Sequence, residues 1–316
     1  MAYTENEARN LVIKAGLELV EKQLISRTWG NISARISSEQ FIITPSGRAY
    51  DTLKPEELVK VNIKDLSYEG AIKPSSEKGI HASAYELRPD VDFVIHTHQF
   101  YASAVCAEEK DTDFAPCAAY GLPGTKKLRK NVALSIKNNP ASKAFLLAKH
   151  GTLCLGENHD EAFALAEKLE EDSRELFYSR VNVPEMACDN IDEDYFRTYF
   201  PYVIHDTNRF VVACSMKLKS VRAYVDDFAQ IVGPDARCTL SNPKLVCFAL
   251  KDRNAALIHK KGGICVGGTA DDVEAVSMIL AKNCAAYLYV ENAKPLGPID
   301  SRLQRTIYLK KYSRQK

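Results

Sequence analysis

The segment Phe93-Val94-Ile95-His96-Thr97-His98 places two histidines two residues apart at the end of an apolar run. On a β-strand, residues i and i+2 point to the same face, so both imidazoles would aim at one point. A strand end of that kind presents two nitrogen ligands to a metal ion. A pair of ordinary hydrogen-bonding histidines is the alternative, because H-x-H is a short motif and histidine is versatile. A catalytic zinc site needs about three protein ligands and an open position. His150 is the best third candidate, since it follows an apolar run and precedes Gly151, where a turn would expose its ring. His81 is a rival, but its place beside Ala82 and Ala84 in a predicted helix suits a structural role. His159 opens another predicted helix and is expected to be solvated.

A second stretch of the chain acts as a control on this reading. At an offset of 111, residues 144–178 overlay residues 255–289 with ten identities in 35 positions. Random pairing would give roughly two. At an offset of 109, Phe93-Val94-Ile95-His96 overlays Tyr202-Val203-Ile204-His205. The second stretch keeps His205 opposite His96 but sets Thr207 opposite His98 and Lys261 opposite His150. An ammonium offers no lone pair to a metal. A metal site in the first stretch and a dead scaffold in the second fit that pattern, and nothing in 184–316 echoes residues 28–90.

The elements that must hold these side chains follow from periodicity and caps. Thr4-x-x-Glu7 is a capping box before Ala8, Leu11, Val12, Ala15 and Leu19, which predicts a helix over 4 to about 25. Strands are predicted at 40–44, 61–66, 92–98, 144–148 and 152–155. Pro55-Glu56-Glu57 looks like a helix start. A helix opens after Ser75-Ser76-Glu77 and stops near Arg88-Pro89, and another spans 160–180. Residues 181–200, acidic and edged by Pro184 and Pro201, read as a linker. The domains are therefore placed at 1–183 and 184–316.

Composition narrows the class. The 316 residues are 46% apolar and 26% charged, ordinary for a soluble globular protein. A net charge of +1 without a basic block argues against nucleic acid or an anionic membrane as partner. No run reaches membrane-spanning length, and the polar N-terminus does not read as a signal peptide. Nine scattered cysteines without a C-x-x-C pair read as free thiols in a reducing cytoplasm.

Two short stretches, Gly30-Asn31-Ile32-Ser33 and Thr44-Pro45-Ser46-Gly47, read as tight loops, and Pro74-Ser75-Ser76-Glu77 is a third polar element. Exposed N–H groups and hydroxyls at turns and helix N-termini make anion pockets, for which phosphate is the natural ligand; ordinary turns and caps are the alternative.

Taken in order, Thr28-Trp29-Gly30-Asn31-Ile32-Ser33, Ile43-Thr44-Pro45-Ser46-Gly47, Pro74-Ser75-Ser76-Glu77, His96-Thr97-His98 and Lys149-His150-Gly151 resemble the class II aldolase/adducin family over about residues 5–180. The resemblance implies an α/β/α sandwich around a mostly antiparallel sheet, in homo-oligomers such as dimers or tetramers. It implies zinc, or another divalent metal such as manganese, on His96, His98 and His150. Glu77 matches the acid that contacts the metal and acts as acid/base. Thr28, Asn31, Ser46, Gly47, Ser75 and Ser76 match the phosphate-binding set. Tyr120 lies where the family's aldolases keep a tyrosine acid that protonates the leaving aldehyde. The implied activity is retro-aldol cleavage of a small ketose 1-phosphate. Related 4-epimerases carry Asp at the position of Glu77, so Glu favours aldol cleavage or a dehydratase-type reaction. The segment from His98 to Tyr120 is short beside the family's aldolases. A competing implication is an adducin-like domain kept for binding or assembly without catalysis.

Overall fold

The computed structural model describes residues 2–25, 29–290 and 293–312. The chain divides into two compact units, Met1–Glu175 and Leu176–Lys316. The division falls inside a long helix rather than after residue 183.

The first unit begins with α1 (Glu5–Glu21), capped as expected: Thr4 Oγ1 accepts from the Glu7 N–H, and Glu7 Oε2 accepts from the Thr4 N–H. Ala8, Val12, Ala15 and Leu19 are fully buried on its inner face. Then come β1 (Asn31–Arg35), β2 (Gln40–Ile43), β3 (Val59–Asn62), α2 (Lys78–Leu87), β4 (Phe93–Thr97) and α3 (Phe100–Cys106). The unit closes with β5 (Cys117–Ala118), α4 (Lys126–Asn138), β6 (Ala144–Leu147), β7 (Gly151–Gly156) and α5 (His159–Arg180), which carries the division.

The seven strands form one sheet in the order β3-β2-β1-β4-β7-β6-β5. Only β5 and β6 run parallel, so the sheet is mostly antiparallel as anticipated. On one face Phe41, Ile43, Val61, Val94, Phe145, Leu153 and Leu155 pack with Ile80 and Tyr85 of α2 and Leu128, Val132 and Ile136 of α4. On the other face α5 is tied down where Gln99 Nε2 donates to the Ala166 carbonyl at 2.6 Å. His159 pairs with Glu18 of α1 at 3.0 Å in the same layer. The result is a helix–sheet–helix sandwich.

Four expectations differ from the structure. Residues 31–35 are not a loop but a fully buried strand between β2 and β4. Pro55–Glu57 is a single 3-10 turn, because Leu58 is already extended and leads into β3. That strand starts and ends earlier than expected, since the Asn62 side chain accepts the Lys64 N–H and Leu66 adopts φ +63° to make a turn. His159 is buried, not solvated: it sits between Glu18 and Asp160 and meets Phe93 edge-on at 5.5 Å.

The second unit contains α6 (Glu193–Arg197), β8 (Tyr202–Asp206), α7 (Arg209–Ser215), β9 (Val221–Arg222), α8 (Asp226–Ile231) and β10 (Asp235–Thr239). It continues with α9 (Pro243–Ala249), β11 (Ala255–Ile258), β12 (Gly263–Gly267), α10 (Ala270–Tyr289) and α11 (Pro298–Ile307). Its sheet runs β8-β12-β11-β10-β9. The order β8-β12-β11-β10 mirrors β4-β7-β6-β5 in strand direction, and at the sequence offsets of 109 and 111 the registers coincide: Phe93↔Gly156 answers Tyr202↔Gly267, and Ala144↔Cys154 answers Ala255↔Cys265. Even the turn agrees, with φ +58° at Lys149 and +63° at Lys260. Among the described residues the counterpart of β4's pairing with β1 is missing, and β8 stands at the edge of the sheet. All nine cysteines are free thiols. Among the described residues no helix is long and apolar enough to cross a membrane.

Candidate metal centre

Three elements of the first unit deliver the cluster. β4 alternates, so Val94 and His96 face the α2 layer and His98 follows just past the strand end. The turn from β6 to β7 is closed by the Lys149 N–H on the Cys106 carbonyl and the His150 N–H on the Leu147 carbonyl. Lys149 takes the left-handed conformation there, which few non-glycine residues do. Glu77 occupies the N-cap position of α2, held by its own N–H on Ser75 Oγ at 3.2 Å.

Donor atoms of Glu77, His96, His98 and His150 all lie within 4.8 Å of one another. His96 Nε2 is 3.0 Å from His98 Nε2 and 3.1 Å from Glu77 Oε2, and His150 Nε2 is 2.8 Å from Glu77 Oε1. His96 and Glu77 are 0% and 8% exposed. His96 Nδ1 donates to the Thr152 carbonyl at 2.6 Å, which leaves a lone pair on Nε2 facing the cluster. Two nitrogens at a tetrahedral angle around zinc stand about 3.3 Å apart, so the spacing of the two Nε2 atoms suits that ion. Three imidazoles and a carboxylate are also its ordinary donor set. Burial would push the Glu77 carboxyl up, but the neighbouring His150 and His96 imidazoles hold it well below the usual carboxylate range. The cluster thus keeps an anion in a buried place that cations favour.

A glycine fixes the approach of β7 to β4. A Cβ at Gly151 would stand 2.3 Å from the Thr97 carbonyl oxygen and 3.2 Å from His98 Cδ2. Backbone cannot yield to it. Gly151→Ala is expected to cost about 2 kcal/mol or more in urea unfolding, and a wild-type midpoint would contradict this close approach.

Beneath the cluster lies a buried polar row from β1 and α2. Asn31 Nδ2 donates to Glu77 Oε2 at 3.0 Å, and Asn31 Oδ1 meets His81 Nε2 at 2.5 Å. His81 Nδ1 lies 2.7 Å from Ser33 Oγ, which lies 2.7 Å from the Tyr85 hydroxyl. His81 is not a member of the metal cluster. Glu77, His81 and Tyr85 recur every fourth residue, and Asn31 and Ser33 every second. Those periods mark one helix face over one strand face and could have been found in the sequence.

Burial, aided by the nearby His96 imidazole, depresses the His81 pKa from 6.5 to about 3. The unfolded chain therefore binds a proton at His81 below pH 6.5 that the folded chain refuses until about pH 3, so stability falls as pH falls through that window. His81→Gln removes this dependence. In metal-free denaturation between pH 6 and 4, wild type should lose up to about 1.4 kcal/mol per pH unit relative to the variant. A gap constant with pH would show that His81 is charged in the folded state.

The loops of the anticipated phosphate set come together only in part. The Ser46 N–H donates to the Lys73 carbonyl, the Ser75 N–H to the Thr44 carbonyl, and Pro45 bridges Pro74, so loops 44–47 and 73–77 are stitched side by side. Gly47 has φ +72°, and Ser76 is exposed at the N-terminus of α2. Asn31 departs from the set, because its side-chain amide is engaged by Glu77 and His81. Thr28 lies outside the described residues. Tyr120 is half-buried on the loop between β5 and α4, with its carbonyl accepting from Asn131 Nδ2 at 2.9 Å. The same loop passes Ser76, which stands 3.4 Å from where a Cβ on Gly124 would be.

Known proteins are similar to this chain in sequence and in fold. L-fuculose phosphate aldolase of Haemophilus influenzae is 35% identical over 176 residues, covering 52% of this chain and 79% of that protein. A 3-oxo-tetronate 4-phosphate decarboxylase of Pectobacterium atrosepticum is 30% identical over 190 residues, 55% of this chain and 85% of that protein. A solved L-fuculose 1-phosphate aldolase superposes with a TM-score of 0.52 at 29% identity, over 58% of this chain and 93% of its own. Residues 10–176, more than half of the chain, match the model of the Class II Aldolase and Adducin N-terminal domain, and the protein belongs to that family.

Proposed function

We propose that the chain is a zinc-dependent aldehyde-lyase that cleaves a small ketose 1-phosphate into dihydroxyacetone phosphate and an aldehyde. The observation that carries this is the convergence of Glu77, His96, His98 and His150 beside two stitched hydroxyl-rich loops. A divalent cation on the three imidazoles supplies electrophilic stabilisation of negative charge on the ketose oxygens. Ser46, Gly47, Ser75 and Ser76 bind the phosphate, with the N-terminus of α2 favouring its charge. That binding energy, remote from the reacting bond, orients the substrate. As the C3–C4 bond breaks, the C4 hydroxyl loses its proton by way of Tyr120, and the Glu77 carboxylate, having taken up a proton from water, passes it to C3, so that one proton leaves the substrate and one enters it. In the reverse direction Tyr120 protonates the aldehyde oxygen.

A decarboxylase reading has support from the Pectobacterium relative, because both reactions release an electron pair beside a carbonyl. Screening four- to six-carbon ketose 1-phosphates for aldehyde release, and 3-oxo acid phosphates for carbon dioxide release, separates the two. Aldehyde from a ketose phosphate supports the lyase; carbon dioxide alone, or no turnover of either class, counts against it.

Residues 184–316 are a degenerate, partial copy of the first unit's latter half and take no part in catalysis. The matching registers support the first statement. For the second, His205 Nε2 donates to the Lys261 carbonyl at 2.7 Å, so the nitrogen that His96 turns to the cluster is occupied. Thr207 is exposed, Lys261 brings an ammonium, and among the described residues no counterpart of β1 or Glu77 accompanies them. The enzyme works in the cytoplasm as a homo-oligomer.

A further inference from the structure

We propose that His81 is a positioning residue for Glu77, acting through Asn31. The inference rests on the reading of the cluster as a metal centre. Its basis is the direction of every hydrogen in the buried row.

An ionised Glu77 can only accept, so the Asn31 group at 3.0 Å from Oε2 is the amide NH2. Asn31 Oδ1 therefore faces His81 Nε2 and accepts from it, which places the ring proton on Nε2. His81 Nδ1 is then a lone pair and receives the one hydrogen of Ser33 Oγ. With that hydrogen spent, Ser33 Oγ accepts from the Tyr85 hydroxyl. All donors thus point one way, from Tyr85 through Ser33, His81 and Asn31 to Oε2 of Glu77. Such a chain polarises each successive donor toward the carboxylate.

None of Asn31, Ser33, His81, Glu77 or Tyr85 is more than 8% exposed, so water cannot replace a missing partner. The row has one consistent direction, and it favours the anionic, fixed form of Glu77. It also orients the carboxylate. One oxygen takes Asn31 and faces His96, and the other faces His150. Without the His81 N–H, Asn31 could turn its amide over and set its oxygen against Oε2. That repulsion would swing Glu77 off the imidazoles. A merely structural histidine would fill space without this directional demand.

Zinc affinity tests the proposal without recourse to turnover. Full-length wild type, His81→Leu and His81→Gln are titrated with zinc against a competing chelator, with near-ultraviolet circular dichroism as a check on folding. His81→Leu should raise the Kd for zinc by about 10- to 100-fold while the fold is kept. His81→Gln retains an N–H for Asn31 Oδ1 and should recover most of that affinity. Histidine-labelled 15N spectra of wild type should show the Nε2–H tautomer at His81. A folded His81→Leu with wild-type affinity, equal impairment of Leu and Gln variants, or the Nδ1–H tautomer would overturn the proposal. Should His81→Leu not fold, the Gln variant and the tautomer decide. Failure of wild type to take up zinc would instead sink the metal reading, while the tautomer would still test the row.

Discussion

His150→Ala should lower retro-aldol turnover by at least about a thousandfold, since a bound cation contributes several kcal/mol at the transition state. Of the four clustered residues His150 comes from the β6–β7 turn, His96 and His98 from one strand end and Glu77 from the start of α2. Without His150, two imidazoles and a carboxylate remain, and Glu77 is drawn into holding the ion instead of moving a proton. The loss also strips Glu77 Oε1 of its partner at 2.8 Å in a buried place. Both effects act in the same direction. Steady-state assays on the best substrate of the phosphate screen, with the variant's fold checked by circular dichroism, measure the drop. A fall of less than tenfold would remove His150 from the centre.

Glu77→Gln separates proton transfer from metal holding. The three histidines alone make up a protein ligand set for zinc, so with zinc supplied in excess the variant should stay loaded even though its affinity is lowered. Its kcat should nevertheless fall by about 10^2- to 10^4-fold, the usual contribution of a general acid or base. A glutamine offers one oxygen to a site where Asn31 Nδ2, His96 Nε2 and His150 Nε2 all approach a carboxylate. Its other terminal atom is an NH2 group, which can neither accept a hydrogen nor carry the carboxylate's charge. Measuring kcat, KM and zinc content on the same preparation tells the roles apart. Loss of zinc with no further effect on turnover once metal is restored would make Glu77 a ligand only.

What could be read in the sequence follows from how each element announces itself. β4 was legible because an apolar run leads into His96 and His98, and its period of two survives in the structure. α1 announced itself by its capping box, and α2 by the polar run that Glu77 closes. β1 was not legible. Asn31, Ser33 and Arg35 make it look like a loop, yet it is buried throughout. Its polar face is satisfied by α2: Asn31 and Ser33 serve the His81 row, while Arg35 Nη2 donates to the Tyr85 and Arg88 carbonyls at the end of the helix. Burial of a polar strand depends on a partner 50 residues away, which no local pattern displays. The same blindness misplaced His159, whose partners Glu18 and Phe93 are distant in sequence. Asn31 was assigned by resemblance to phosphate, whereas its side chain supports the acid. Of the four clustered residues, spacing singled out two histidines and a turn glycine favoured the third, whereas Glu77 entered only through the resemblance.

Everything proposed for the first unit turns on a metal ion held by Glu77, His96, His98 and His150. Metal analysis of the purified full-length protein, beside His96→Ala, addresses it most directly. The account predicts close to one zinc per chain in wild type and its loss in the variant, with both proteins folded. Wild-type protein that carries no divalent metal, and takes none up on dialysis against zinc, would contradict it and favour a domain kept for binding or assembly.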